Sequence, residues 1–414
     1  MRHAIEKKRD GKELSGRQVH DIVAGFMAGR IDDAQMAAFC MACVWRGLSF
    51  DETFALTDAM VKSGETLHFD AEGVVDKHSS GGVGDIVSLV AVPLAAACGA
   101  RVAKLSGRAL GHTGGTVDKL ETIPGFDVHL SSDAFLAQVG RVGCAIAAQS
   151  NSLVPADKRI YALRDHTGSV PCMGLMAASI VSKKIAGGAQ AFVFDVKAGR
   201  GSMLVDASKA AELARWLVEI ARRFDRKATA FVSNMDEPLG RSIGTGIEVI
   251  EAREFLRGGN RRGRAHNLVL QIVEEMLRGA NIPNGGARAE EALASGAAYE
   301  KLVQMIEAQG GARSTFEALA LDESRSGTVR ASDEGYVRAI DVVRLGNVGR
   351  TLSMVDALAG LSLAVCIGDR VKSGDVLVKI YGDTTVIDGD LATAFDISGA
   401  APEPAPLIYE VIRS

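Results

Sequence analysis

From residue 73 onward, short apolar runs alternate with helix-like stretches, and this alternation restricts the chain to few architectures. The runs are 74–75, 101–105, 144–148, 191–196 and 228–233, and stretches of helical pattern such as 86–98, 133–139 and 208–224 separate them. Parallel strands need a long crossover, usually a helix, whereas antiparallel strands can turn back in two residues. The pattern therefore predicts a mostly parallel sheet, whose ligands bind beyond the carboxyl ends of the strands.

The stretch Asp76-Lys77-His78-Ser79-Ser80-Gly81-Gly82-Val83-Gly84-Asp85 lies at such an end and leads into the apolar run from Ile86 to Cys98. Glycines between a strand and a helix leave backbone N–H groups open, and a helix start adds partial positive charge. Lys77, Ser79 and Ser88 suit an oxyanion, and His78 is the side chain that could exchange a proton near neutral pH. The glycines match neither a Walker loop nor a dinucleotide fingerprint. The competing reading is a plain strand–helix connection.

A second glycine- and hydroxyl-rich stretch follows the next strand, from Lys104 through Ser106 and Leu110 to Thr116 and Glu121. Ser106 and Thr116 could add donors to the same anion. Further on, Pro155 opens a helix that ends at Arg164, and Ser179 and Lys183 stand four apart on one helical face. An arginine, a serine and a lysine could read the carbonyls and ring nitrogen of a planar heterocycle. Spacing alone also permits a solvated face for Lys183.

With 414 residues the chain is too long for one core, so two or three domains are expected. Residues 1–65 read as short helices capped at Ser15, Asp32 and Ser49. The apolar positions Ala37, Ala38, Met41, Val44 and Trp45 recur at helical spacing and suggest a helical layer or a dimer face. After residue 330 short strands joined by Gly-Asp turns suggest a small third domain. A net charge of −4 offers no footprint for nucleic acid, and the basic loop 258–264 reads as solvated surface. The run 86–100 is broken by Pro93 and too short to span a bilayer, so a cytoplasmic protein without membrane contact is expected. The pair Cys40 and Cys43 lies in a helical pattern with no second pair or nearby histidine, which predicts buried reduced thiols.

Six blocks in one order carry a closer match: DKHSSGGVGD (76–85), KLSGRALGHTGGTVDKLETIPGF (104–126), SLVPADKRIYALRD (152–165), ASIVSKKIAGGA (178–189), DVKAGRG (195–201) and PLGRSIG (238–244). Through them the chain resembles the thymidine and pyrimidine-nucleoside phosphorylases along nearly its full length. The resemblance implies an α/β fold with a separate helical domain, a central mixed sheet flanked by helices, and a small C-terminal α+β domain. Its expected boundaries are 1–65 with 156–187 folding back for the helical domain, 73–155 and 188–330 for the α/β phosphate-binding domain, and 331–414 for the last. It also implies a homodimer formed through the helical domain.

Carried over by position, Lys77, Ser79, Ser88, Lys104, Ser106 and Thr116 would bind phosphate. Arg164, Ser179 and Lys183 would bind the pyrimidine, with Leu110 as an apolar pocket position. His78, Lys183 and Arg164 would form the catalytic set, with His78 as proton donor to the departing base. No cofactor is required, and inorganic phosphate is the co-substrate. A potassium ion could be held at Gly84, Ile86, Leu239, Ser242 and Glu251, although Ile86 lacks the hydroxyl of the family's threonine. Met203 stands where the family usually has a phenylalanine, which bears on base and sugar preference. The expected reaction is reversible phosphorolysis of pyrimidine (deoxy)nucleosides, thymidine foremost, to free base and (deoxy)ribose 1-phosphate. Two rivals are a phosphoribosyltransferase, with Asp236-Glu237 holding Mg²⁺, and a non-catalytic phosphate- or nucleoside-binding module.

Overall fold

The computed structural model describes residues 1–109, 111–259 and 263–414. Leu110 and the centre of the basic loop 258–264 lie outside the described residues. The chain opens with helices α1 (Arg2–Arg9), α2 (Gly16–Met27), α3 (Asp33–Arg46) and α4 (Phe50–Val61). Ser15, Asp32 and Ser49 accept from the backbone N–H of Gln18, Gln35 and Glu52, whose side chains accept from the cap N–H groups in return. Such reciprocal caps are worth about 1 kcal/mol each and set where the three helices start. Glu52 does more than cap. Its carboxylate also takes Lys8 Nζ at 2.6 Å and Leu14 N at 2.8 Å, tying α1 to α4 through a buried ion pair.

On α3 the stripe that enters the core is Met36, Phe39, Cys40 and Cys43. Of the stripe picked out by periodicity, Ala37, Met41 and Val44 are half-buried, Ala38 is exposed and Trp45 is 79% exposed.

The α/β part follows as β1 (Val74–Ser79), α5 (Val87–Ala97), β2 (Arg101–Ser106), α6 (Thr116–Leu120), α7 (Ser132–Val142), β3 (Cys144–Ala148), α8 (Pro155–His166), α9 (Met173–Ala186), β4 (Ala191–Ala198), α10 (Ala207–Arg223) and β5 (Lys227–Asn234). All five predicted runs are strands. They pair in parallel in the order β5-β4-β1-β2-β3. Every residue of β4 is buried, as a central strand covered on both faces requires. Helices α8 and α9 leave the sheet and pack against α2, α3 and α4. The α9–α4 approach is close: a side chain at Gly174 would lie 2.5 Å from Thr53 Oγ1.

The chain continues with β6 (Ser242–Gly244), α11 (Gly246–Arg257), α12 (Arg264–Gly279), α13 (Gly285–Ala294), α14 (Ala297–Ala308), α15 (Arg313–Glu317), β7 (Ser326–Arg330), β8 (Gly335–Ile340), α16 (Val342–Val355), β9 (Gly360–Leu363), β10 (Arg370–Val371), β11 (Val376–Tyr381), β12 (Phe395–Ser398) and β13 (Ile408–Arg413). Two small sheets form at the C-terminal end, β10-β8-β12 and β6-β9-β11-β7. The boundary expected at residue 331 is crossed by three strands, of which β7, just before it, pairs with β11 beyond it. β6 leaves the α/β region to pair with β9, and β13 returns to the large sheet antiparallel to β5, which makes that sheet mixed. Among the described residues no helix is long and apolar enough to cross a membrane. The six cysteines are free, and Cys40 and Cys43 are buried, where burial raises both thiol pKa values.

Candidate active site

Strand alternation divides the chemistry of β1 between the two faces of the sheet. Lys77 and Ser79 face α5, whereas Asp76 and His78 face α9. Lys77 is fully buried; its Nζ donates to Ser88 Oγ at 3.2 Å and lies 3.6 Å from Asp195. Burial lowers its pKa, opposed by the pull of Asp85 and Asp195. On the other face Lys184 of α9 pairs with Asp76 at 2.7 Å and donates to the Leu105 carbonyl at 2.7 Å, fastening the helical layer to β1 and β2.

After β1 the chain turns at Gly81, whose φ of +100° suits only glycine, and whose missing side chain leaves room for Thr113. The loop is held from within by Asp85. One carboxylate oxygen accepts from Ser79 Oγ at 2.8 Å, and the other accepts from Val87 N at 3.0 Å, at the start of α5. Burial alone would raise Asp85, but Lys197, Lys77, Lys119 and the Ser79 hydroxyl hold it well below the usual carboxylate range. Beneath it Asp195 accepts from Lys197 Nζ and Ser233 Oγ, both at 2.5 Å. From β2, Lys104 Nζ reaches over to donate to the Lys77 carbonyl at 2.8 Å.

These residues form one wall of a cavity of about 480 Å³, a volume ordinary for a small-molecule site. His78, Ser79, Ser88, Lys104, Ser106 and Thr116 line that wall, and Arg164, Ser179 and Lys183 line the opposite wall from α8 and α9. Lys77 stands directly behind the first wall. The spacing-based pairing of Ser179 with Lys183 is realised as a 2.8 Å hydrogen bond. Lys183 is also ion-paired with Asp157 of α8. Arg164 is 1% exposed and donates to the carbonyls of Ser169, Val170 and Leu175, so part of its guanidinium braces the turn between α8 and α9.

His78 sits at the junction of the walls, its ring edge-on to Phe194 with centroids 6.3 Å apart. Removal from solvent, then the charge of Lys184 foremost among the nearby lysines, hold its pKa well below the ordinary histidine value. The imidazole is therefore neutral at pH 7. His112 Nε2 lies 3.1 Å from the Gly201 carbonyl, joining the loop after β2 to the loop after β4.

Comparison with known proteins accords with this geometry. Residues 2–64 match the model of the glycosyl transferase family helical bundle domain, and residues 71–299 match that of the glycosyl transferase family a/b domain. The chain is 39% identical to a pyrimidine-nucleoside phosphorylase of Geobacillus stearothermophilus over 99% of this chain and 98% of that protein. It is 40% identical to a thymidine phosphorylase of Burkholderia orbicola with the same coverage. The chain belongs to the thymidine and pyrimidine-nucleoside phosphorylase family. An anthranilate phosphoribosyltransferase of Thermus thermophilus shares the fold, with a TM-score of 0.59 at 20% identity over 74% of this chain and 99% of that one.

As a member of this phosphorylase family the chain holds functional neighbours that spacing did not single out. Asp157, Asp195, Lys197 and Lys119 carry the pairings around the cavity, and the last forms a buried pair with Glu248 at 2.6 Å. All four lie within the quoted blocks, but nothing in their spacing marked them as partners; Asp157 stands in the first turn of the helix opened by Pro155. The acidic pair Asp236-Glu237 is already engaged. Asp236 accepts from Arg200 N at 2.9 Å, and Glu237 pairs with Arg264 at 3.2 Å and accepts from Ile367 N at 2.9 Å.

The residues expected to hold potassium fit such an ion poorly as arranged. The two Glu251 oxygens accept from Arg241 N and Ser242 N at 2.8 and 2.7 Å. The Gly84 carbonyl accepts from Gly240 N, and that of Ile86 from Val90 N inside α5. Met203 lines the cavity and is 42% exposed at its rim.

Proposed function

We propose that this chain catalyses reversible phosphorolysis of pyrimidine (deoxy)nucleosides, with thymidine foremost, giving free base and (deoxy)ribose 1-phosphate. The observation that carries the reading is that Lys183 and Ser179 open onto the same cavity as Ser79, Ser106 and Thr116. One wall offers hydroxyls, backbone N–H groups and lysines to phosphate, and the other offers donors to a planar base.

In this reading Ser79, Ser88, Ser106 and Thr116 hold phosphate in line with C1′, with Lys77 supplying charge from behind and Lys104 from the side. A phosphate oxygen bonds to C1′ as the C1′–N bond breaks, and the bonding pair leaves with the base. Positive charge develops on the sugar and negative charge on the base. Arg164 and Lys183 stabilise the base, and fixed donors of this kind are typically worth on the order of 3 kcal/mol each. Because His78 is neutral, it acts first through its ring N–H, as a hydrogen-bond donor to the carbonyl of the departing base. Holding the reactants in line supplies much of the rest.

Trp45, exposed on α3, supports a homodimer through the helical domain. A cytoplasmic site of action is in keeping with a small-molecule salvage reaction. In the phosphoribosyltransferase alternative the metal-binding pair is already engaged, Asp236 by Arg200 and Glu237 by Arg264 and Ile367. Incubation with thymidine, uridine and deoxyuridine, with and without phosphate, tests the proposal: base should be released only with phosphate. Absence of release, or release at equal rates without phosphate, would sink it.

A further inference from the structure

The buried lysines in and behind the phosphate wall are not equivalent. Lys77, Lys119, Lys184 and Lys197 each have a carboxylate within salt-bridge distance: Asp195 at 3.6 Å, Glu248 at 2.6 Å, Asp76 at 2.7 Å and Asp195 at 2.5 Å. Lys104 is as deeply buried, at 2% exposed, yet among the described residues no carboxylate pairs with it. Its Nζ donates to a neutral acceptor, the Lys77 carbonyl at 2.8 Å, while its side chain borders the cavity.

A buried ammonium without a counterion is costly, and an amine escapes that cost by giving up its proton. The groups facing Lys104 make this worse. Asp76, Lys77 and His78 face it from β1, Asp85 from the loop, and Lys183 and Lys184 from α9. The two carboxylates, Asp76 and Asp85, are already committed to other cations. Burial and then Lys184 accordingly hold the Lys104 pKa well below the ordinary lysine value, against Asp76 and Asp85.

We propose that Lys104 is a neutral amine in the free protein and takes a proton from solvent when a phosphate dianion enters the cavity, so that anion binding and proton uptake are one linked event. The inference rests on the phosphorylase reading, which names the anion. The amine becomes an ammonium, no covalent bond changes, and the dianion supplies the missing counter-charge. The sugar 1-phosphate product is also dianionic, so the proton stays through turnover and departs with that product.

Isothermal titration calorimetry with inorganic phosphate, in two buffers of unlike ionisation heat at about pH 8.5, reads the linkage directly. At that pH phosphate is a dianion and an ordinary histidine is neutral. The wild type should take up close to one proton per phosphate bound. Lys104→Met should lose the uptake and bind phosphate roughly 10- to 100-fold more weakly. Lys104→Arg, charged throughout, should bind without uptake, and His78→Asn should keep it. Thermal unfolding of each variant verifies that it is folded. Equal uptake by folded Lys104→Met, or phosphate binding by the wild type with no uptake, overturns this inference alone. No phosphate binding by the wild type overturns the phosphorylase reading and this inference with it.

Discussion

Asp157, in the first turn of α8, forms an ion pair with Lys183 on α9, and Lys183 in turn donates to Ser179 at 2.8 Å. The carboxylate thus aims the ammonium across the cavity. Asp157→Asn should leave Lys183 free to swing away from Ser179. Turnover should fall by about one to two orders of magnitude, as loss of a charge-assisted contact predicts. Steady-state kinetics beside a melting curve separates this from unfolding: an unchanged kcat would remove Asp157 from the site.

The proposed roles of His78 and Lys183 concern the reacting base, not the core. His78→Ala and Lys183→Ala should each lower kcat/KM by roughly 10²- to 10³-fold. The melting temperature of His78→Ala should stay close to wild type, whereas Lys183→Ala also strands the buried Asp157 carboxylate and should melt lower. Wild-type turnover at saturating phosphate and nucleoside in either variant would refute that residue's role.

His78 also predicts a dependence of stability on pH. Its folded pKa lies well below the ordinary value of 6.5, because burial and then the charge of Lys184 disfavour the charged ring. Below 6.5 the unfolded chain therefore binds a proton that the folded chain does not. Stability from this source is complete above 6.5 and declines as pH falls towards the folded pKa, by up to about 1.4 kcal/mol per pH unit. Urea unfolding of wild type and His78→Asn from pH 7 down to about 5 should show a shallower decline in the variant. Parallel profiles would mean that the ring is protonated in the folded state.

Glu52 accepts from Lys8 Nζ, Leu14 N and Ser49 N while nearly fully buried. Glu52→Ala strands a buried ammonium and removes a helix cap, and should destabilise the helical bundle by about 3–5 kcal/mol. Denaturant titration measures it. A loss below about 1 kcal/mol would show that Lys8 reaches solvent instead.

Trp45, 79% exposed on α3, is the largest apolar side chain left outside the monomer. If the helical domain mediates a homodimer, Trp45→Glu should shift the mass seen by light scattering from dimer towards monomer. A wild type that is monomeric at the same concentration would remove the dimer proposal.

The parallel strands were legible because each is a short apolar run bounded by helical pattern, and both signals are local. The three N-terminal caps were legible for the same reason, since a capping box spans four consecutive residues. So was the phosphate wall: Lys77, Ser79 and Ser88 follow one another through a single strand–loop–helix turn. Other features were not. The helical period of α3 shows two apolar stripes, and only packing against α1 and α8 decides that Met36, Phe39, Cys40 and Cys43 turn inward. The exchange of β6 and β13 between sheets depends on backbone pairing partners that share no sequence signature.

By itself the sequence determined the local grammar: which segments become strands and helices, where they begin, and which glycine-rich turns leave N–H groups and hydroxyls at a strand end. The tertiary structure alone decided the charge pairing across the cavity. Lys183 meets Asp157 from 26 residues away, Lys184 meets Asp76 from 108, and among the described residues Lys104 is left without a carboxylate. The physical reason is range: hydrogen-bonded turns and periodic burial act over a few residues, whereas the partner of a buried charge is set by how separate layers pack.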